Sequence, residues 1–460
     1  MKPELRPYQK EDIEKLLKHD CGGCFNEQRT GKTPIAINVM QQRKVKKLLI
    51  ITTATSVYQW QEEIEKWSDY ITYVATGTKT KKSKAVQNFT NELKPSALVV
   101  SYDSFKTTKT IDGLISEILL SKPEGVILDE AHRIKNPKTA NAKTVFKLIP
   151  KIKYRLALTG TPAPNKQHEV WSILHFILPE LFKSYWNFLE QCCKITTKYT
   201  YEGRTYKEIG SLTPTAKKHM QSILEEYCTQ RKRKDVMQWL PDKEYINVKL
   251  TPTKEQTKYL KELKQYFETE ELITQGILDQ LIRVRQICLA PALVNLKGSS
   301  PKLDWLLQYI KDYPETPTIV FTKFTSFIDN ILSPALYNLN TKYACITGKT
   351  PITKRKKYIL DFQKGVFKLL VINIDAGKEA LTLDKAEATI FMDKYPPVSD
   401  ILQAEDRFIA TTEDRANKGH KIYNLFIKGT YDEEIYKLIN KRASEVDIIN
   451  NYIKYIKKGA

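Results

Sequence analysis

Short, continuous apolar runs constrain this chain more than any single motif does. Leu48–Ile51, Ala97–Val100, Val126–Leu128 and Leu156–Leu158 form one series, and Thr318–Phe321, Leu369–Ile372 and Thr389–Met392 form a second. A strand with one wet face alternates apolar and polar residues. These runs do not alternate, so both faces must be covered. Helical patterns lie between them, as in strand–helix–strand crossovers that build a parallel sheet. The two series, at 20–160 and 315–430, predict two α/β domains.

The stretch from 180 to 300 reads as mostly helical, for example Gly276–Leu289. One part breaks that pattern. Ile195–Ile209 is rich in β-branched and aromatic residues that flank Glu202-Gly203, a hairpin signal. Leu240–Lys243, with Pro241 and Asp242, reads as the hinge between halves.

Composition limits the function classes. A hydrophobic content of 41% supports real cores and excludes a disordered chain. No apolar run reaches the ~18 residues of a membrane-spanning helix, and the N-terminus MKPELRPYQK lacks an apolar signal region. A soluble, cytoplasmic protein without a membrane partner is expected. The net charge of +21 favours a polyanion partner, of which nucleic acid is the commonest. Seven irregularly spaced cysteines fit a reducing compartment better than a disulfide framework. Cys21-Gly-Gly-Cys24 has no second pair at zinc spacing, so it reads as small residues near a strand end.

The pentapeptide Thr-Gly-Lys-Thr-Pro occurs twice, at Thr30–Pro34 and at Thr347–Pro351. Gly-Lys-Thr is the core of a phosphate-binding loop. The full pattern G-x-x-x-x-G-K-[ST] fails in both copies, because Asn26 and Tyr343 stand at the leading glycine position. Context separates the two. Cys21–Phe25 can be a short strand before the first copy, and Ile35–Met40 starts a helix after it. Thr30, Gly31, Lys32 and Thr33 would then open that helix, where N–H groups and the dipole stabilise an anion. Lys32 would reach the β- and γ-phosphates, and the Thr33 hydroxyl would bind Mg2+. Asn26 is tolerable because asparagine enters the left-handed region readily; Arg29, near the loop apex, is bulkier.

The run Val126–Leu128 ends in Asp129-Glu130-Ala131-His132. Two carboxylates closing a buried strand are costly unless a cation meets them. Asp129 would hold Mg2+, and Glu130 would orient or deprotonate an attacking water. Leu158-Thr159-Gly160-Thr161-Pro162 closes another strand with hydroxyls that could sense phosphate.

Together these residues resemble the SNF2 family of superfamily 2 helicase-like ATPases, in order through nearly the whole chain. Leu5–Gln9 is similar to the family's adenine-reading motif, which implies Arg6 and Gln9 as nucleotide contacts. Asp129–His132 continues as Arg133-Ile-Lys-Asn136, an SNF2 extension of the DEAH box. Asn165, Glu169–Leu174, Arg231–Lys234, Leu240–Lys243 and Leu281–Pro291 also resemble family segments. In the second half, Ile319–Phe321, Asp375–Leu383 and Gln403–Arg407 match; these imply Gly377 at the nucleotide and Gln403 and Arg407 in catalysis. The family's second arginine is Ala410 here, so Arg407 or the off-register Arg415 substitutes, or turnover is modest. The resemblance implies two RecA-like parallel-sheet lobes: 1–240, with a hairpin-bearing insertion at 180–240, and 241–460, with a helical insertion at 254–300.

No Asp-Glu pair ends a strand after the second pentapeptide. Thr347, Gly348, Lys349 and the downstream Arg355 resemble a loop of the second lobe that tracks a nucleic-acid backbone, so DNA contact is expected there. Tyr199, Tyr201 and Tyr206 of the hairpin could stack on bases at a junction or simply pack in a solvent-facing hairpin. The resemblance implies ATP and Mg2+ as cofactors and DNA, as duplex, fork or four-way junction, as partner of a monomer. It extends to compact bacteriophage SNF2-type helicases of the T5-like kind, which would place the chain in the host cytoplasm. A remodeller of branched DNA is the expected function. The alternatives are the motor of a restriction or repair complex and an ATP-dependent duplex clamp that does not move.

Overall fold

Alternate residues of the apolar runs enter different cores in the computed structural model of this chain, which describes residues 2–106, 114–160, 167–199, 205–239, 243–266, 270–376, 383–395, 401, 404–405, 419–441, 448, 451–452 and 455. The chain divides into two units, Met1–Gln238 and Trp239–Ala460.

In the first unit, strands β1 (Cys21–Cys24), β2 (Lys47–Thr52), β3 (Ile71–Ala75), β4 (Ser96–Ser101), β5 (Gly125–Leu128) and β6 (Tyr154–Leu158) share one sheet with a short strand at Cys228–Thr229. Every pairing in it is parallel. Leu49, Ile51, Leu98, Val100, Val126 and Leu128 join one core, while Leu48, Ile50, Ala97, Val99 and Ile127 join the other. That division is what non-alternating runs require. Each such buried side chain stabilises the unit by about 2 kcal/mol relative to exposure.

The expected hairpin is present. Its strands β7 (Cys193–Tyr199) and β8 (Thr205–Leu212) run antiparallel, with Ile195 opposite Ile209. It is rooted in a core of its own, where Trp171, Leu174, Leu189, Met220 and Ile223 are buried and Ile195 and Ile209 pack against them. Beyond the hairpin, Cys228–Thr229 forms β9, which pairs with β1 and closes that edge.

The second unit repeats the layout. Strands β10 (Glu244–Leu250), β11 (Thr318–Thr322), β12 (Tyr343–Ile346), β13 (Leu369–Asn373), β14 (Ala388–Phe391) and β15 (Lys421–Ile427) form a sheet in the order β10-β15-β14-β11-β13-β12. All its pairings are parallel. Ile319, Phe321, Leu370 and Ile372 face one core, and Val320, Leu369, Val371 and Ile390 face the other. The helix Glu270–Leu289 contains the expected Gly276–Leu289 segment. Among the described residues no helix is long and apolar enough to cross a membrane.

One buried ion pair fastens that helix to the sheet. Arg285 is 4% exposed, and its Nη2 lies 2.8 Å from Oδ2 of Asp393, which is 2% exposed. Thr322 Oγ1 and the Lys323 N–H donate to the other carboxylate oxygen at 2.7 and 3.0 Å. The Arg285 guanidinium also lies 4.1 Å from the centre of the Tyr395 ring. Removing the cation strands a buried carboxylate, so Arg285→Ala is expected to cost about 3–5 kcal/mol in urea denaturation. A loss under about 1 kcal/mol would show that the pair fastens nothing.

Candidate functional site

Three strand ends of the first unit carry the candidate chemistry. The sheet order places β5, β6 and β1 side by side, and since all are parallel their carboxyl ends share one edge. That edge is where ligands bind in open parallel sheets.

From β1 the chain loops through residues 25–30 and enters helix α2, which packs against the earlier helix α1 (Pro7–Leu17). Helix α2 spans Lys32–Gln42, and its N-cap is Gly31 at φ 81°, ψ 41°. A Cβ there would meet Gln9 Nε2 at 2.1 Å and displace that amide, and the positive φ itself favours glycine. Lys32 and Thr33 are therefore the first two residues of the helix. Lys32 Nζ donates to the Asn26 and Glu27 carbonyls at 3.0 and 3.1 Å. The Tyr8 hydroxyl on α1 donates to the Thr30 carbonyl at 2.9 Å, and Gln9 Nε2 approaches the same oxygen at 3.4 Å. Gln9 Oε1 accepts from the Arg6 N–H at 2.9 Å, which ties Arg6 to the residue that contacts the loop.

The loop corrects one expectation. Asn26 does not occupy the left-handed region; Arg29 does, at φ 65°. Asn26 is fully buried, and its Nδ2 donates to Asp12 at 2.7 Å. Asparagine stands there for its hydrogen bond and not for its conformational freedom. Its Oδ1 is buried without a hydrogen-bond partner. Arg29 carries the backbone strain instead, which for a side chain with a Cβ is about 1–2 kcal/mol.

At the end of β5, Asp129 Oδ2 accepts from the Thr52 hydroxyl at 2.7 Å and from Trp60 Nε1 at 2.8 Å. Trp60 stands on helix α3 (Val57–Trp67). Burial pushes the Asp129 carboxyl above its ordinary range, and the Glu130 charge adds to the rise; Trp60, Thr52 and the Lys32 charge oppose it. Glu130 is itself left-handed, at φ 50°, ψ 49°. Its Oε2 lies 3.3 Å from His132 Nδ1, which lies 3.4 Å from Thr159 Oγ1 at the end of β6. Glu130, His132 and Thr159 thus link two of the three strand ends. The first pentapeptide, Asp129-Glu130 and Thr159 are brought together by the fold, and Lys32 is near enough for its charge to act on Asp129.

The second pentapeptide has another shape. Its helix begins at Ile352, with Pro351 as N-cap, so Lys349 precedes the helix instead of opening it. Arg355, expected at a nucleic-acid backbone, is 7% exposed. Its guanidinium donates to the carbonyls of Thr350, Thr347 and Gly348 at 2.7, 3.0 and 3.2 Å. It braces the loop, which holds out Gly348 and a Lys349 side chain 85% exposed. Lys354, Lys356 and Lys357 are exposed beside it.

Tyr199 and Tyr206 lie on the two hairpin strands. Tyr201, Gly377, Gln403, Arg407, Ala410 and Arg415 lie outside the described residues. Between Gln403 and Arg407, Glu405 is held by Lys243 and Lys394, both at 3.0 Å, and by the Tyr245 hydroxyl at 2.8 Å. Burial pushes the Glu405 carboxyl up, but the two lysines hold it below its usual range.

Sequence reasoning missed Thr52, Trp60, Asp12 and Arg231. A signal existed for the first: Thr52-Thr53-Ala54-Thr55-Ser56 sets hydroxyls directly after an apolar run. None existed for Arg231, which meets Asp12 across 219 residues.

The chain is similar to known proteins over both units. The SNF2-related domain pattern matches residues 8–293, and that of the helicase conserved C-terminal domain matches 301–409. "DNA annealing helicase and endonuclease ZRANB3" of Bos taurus is 24% identical over 96% of this chain and 40% of its own length. "Uncharacterized ATP-dependent helicase MG018" of Mycoplasma genitalium is 26% identical over 96% of this chain and 42% of its own length. The solved "SWI2/SNF2 ATPase core in complex with dsDNA" of Sulfolobus solfataricus is 24% identical, covering 96% of this chain and 92% of that one with a TM-score of 0.43. The chain spans about two fifths of the length of these curated relatives.

The strain at Arg29 is measurable. Arg29→Gly is expected to be about 1 kcal/mol more stable than Arg29→Ala, because only glycine escapes the left-handed cost. Equal stability of the two in thermal unfolding would mean that no strain resides there.

Proposed function

This chain belongs to the SNF2-related domain family, and from that premise we propose that it is an ATPase driven by DNA, a translocase that remodels branched DNA by fork regression and branch migration. The observation that carries the ATPase part is the gathering of Lys32-Thr33, Asp129-Glu130 and Thr159 at one sheet edge. Lys32 exchanges two loop carbonyls for the β- and γ-phosphate oxygens of ATP, a trade of neutral acceptors for charged ones. The Thr33 hydroxyl and the Asp129 carboxylate are hard oxygen donors suited to Mg2+. Among the described residues no three His, Cys, Asp or Glu side chains form a metal cluster, so phosphates and water would complete the shell, as Mg2+ prefers. When bound, the ion neutralises charge on the transferring phosphate. A cation beside Asp129 also offsets the burial and the Glu130 repulsion that raise its carboxyl. Glu130 orients the attacking water and accepts its proton, with His132 fixing the carboxylate. By the family resemblance, Gln403 and Arg407 would take part in catalysis and Gly377 would lie at the nucleotide.

The net charge of +21 and the exposed Lys349, Lys354, Lys356 and Lys357 suit a phosphate backbone. Backbone contacts carry little base information, so the chain selects DNA structure over sequence. The hairpin, rooted in its separate core, is the element assigned to a junction on this reading, and Tyr199, Tyr201 and Tyr206 are the residues that would stack on bases. On this reading the chain acts as a monomer in the cytoplasm, as a bacteriophage-type enzyme would in its host.

Lys32→Ala and Glu130→Gln are each expected to lower DNA-stimulated ATP hydrolysis by about 10²-fold or more while leaving DNA binding in place. If the wild type hydrolyses no ATP on duplex, fork or four-way junction, the motor reading is lost and a passive clamp remains. Tyr201→Ala with Tyr206→Ala is expected to slow branch migration on a four-way junction and spare duplex-stimulated hydrolysis. Equal losses in both assays would remove the hairpin from junction work.

A further inference from the structure

The chain leaving β9 grips the phosphate loop from the side. Beyond the paired residues Gly23–Cys228 and Cys24–Thr229, the Phe25 N–H donates to the Thr229 carbonyl at 2.8 Å, and the Glu27 N–H to the Arg231 carbonyl at 2.9 Å. The Arg233 N–H returns to the Glu27 carboxylate at 2.8 Å. Side chains tighten the grip. Arg231 Nε donates to Asp12 Oδ1 at 2.9 Å, and its Nη2 to Glu11 at 2.8 Å. Asp12, 1% exposed, takes the Asn26 amide on its other oxygen at 2.7 Å. The two residues so held, Asn26 and Glu27, are the ones whose carbonyls hold Lys32 Nζ. The gripping segment continues through the helical turn Arg233–Val236 to Trp239, where the second unit begins.

We infer that Asn26, Asp12 and Arg231 form a latch through which the segment leaving β9 sets the phosphate loop, which makes Arg231 a positioning residue for the nucleotide. The inference rests on the ATP reading of the first pentapeptide. A carboxylate buried like Asp12 must keep its cation, so the latch is held as one unit. A shift of the exit segment reaches Lys32 through the Arg231, Asp12 and Asn26 side chains and through the backbone bond between Arg231 and Glu27. The departure from the phosphate-loop pattern then has a purpose: a glycine at position 26 would have no side chain to join the latch.

The test is a double-mutant cycle on the full chain. Arg231→Gln is expected to raise the KM for ATP about tenfold, with kcat at saturating ATP and DNA nearly unchanged. In an Asn26→Gly background the same substitution is expected to leave KM unchanged, because the latch no longer reaches the loop. If Arg231→Gln does not fold, Arg231→Lys keeps the charge but cannot serve Asp12 and Glu11 together, and carries the same expectation. An equal rise of KM in both backgrounds, or none in either, overturns the latch. Hydrogen exchange in ATP-free protein separates this outcome from a failure of the ATP reading. Arg231→Gln is expected to speed amide exchange of residues 26–33, and unchanged exchange overturns the latch whatever ATP does. Absence of saturable ATP binding by the wild type, with faster exchange in the variant, rejects the nucleotide role and with it the positioning role of Arg231.

Discussion

Exclusion of water from both faces of two parallel sheets governs the rest of this molecule. A strand covered on both sides carries a charged side chain only where partners satisfy it, as four backbone carbonyls satisfy Arg155 near the start of β6. Chemistry is therefore displaced to the points where the ladders stop. In the first unit Lys32, Asp129, Glu130 and Thr159 follow the last residues of β1, β5 and β6. In the second unit Lys323 follows β11, Asp375 follows β13 and Asp393 follows β14. Two of these form an ion pair, Lys323 with Asp375 at 2.6 Å, and Asp393 takes Arg285. The same pressure yields the candidate nucleotide-binding edge in one unit and a structural anchor in the other.

The repeated pentapeptide shows how far identical residues can diverge. In the first copy glycine is left-handed and caps a helix that lysine opens. In the second copy the helix waits until after the proline, and a buried arginine takes up the carbonyls of the turn. What differs is the chain outside the five residues. Upstream of the first copy lies α1, which supplies Tyr8 and Gln9 to the Thr30 carbonyl. Downstream of the second lies Arg355, which has no counterpart at the same offset from the first, where Asn38 stands.

Several features at the sheet edge oppose stability. Asp129 is held with its carboxyl pushed up by burial, Arg29 and Glu130 sit in left-handed backbone, and Asn26 keeps an unpartnered buried oxygen. Each costs on the order of 1–3 kcal/mol. The continuous apolar strands on either side offset them, because each buried aliphatic side chain returns a similar amount. Such departures also occur elsewhere, as at Arg43 and Lys44, but at this edge they surround the candidate site, where violations of local rules are expected.

Much of this was legible in the residues. Non-alternating apolar runs announce parallel sheets because burial on both faces leaves no polar position. The hairpin around Glu202-Gly203 announces itself by β-branched and aromatic residues flanking a turn. The Gly-Lys-Thr and Asp-Glu pairs stand beside their strands, so adjacency in sequence already implied the site. The amphipathic β10 and the two-residue β9 escaped notice, since a short edge strand is defined by its partner and not by its own pattern. The contacts that join Asp12 to Asn26 and Arg231 escaped for a similar reason, since each depends on a partner distant in sequence. Sequence by itself determined which segments are buried and which are followed by Gly-Lys-Thr or by paired carboxylates, because those depend on local period and composition. Only the tertiary structure decided that Asn26 is a hydrogen-bond node, that Arg29 bears the strain and that Arg355 turns inward. Those outcomes depend on which side chains meet across tens to hundreds of residues, and no local pattern encodes such a meeting.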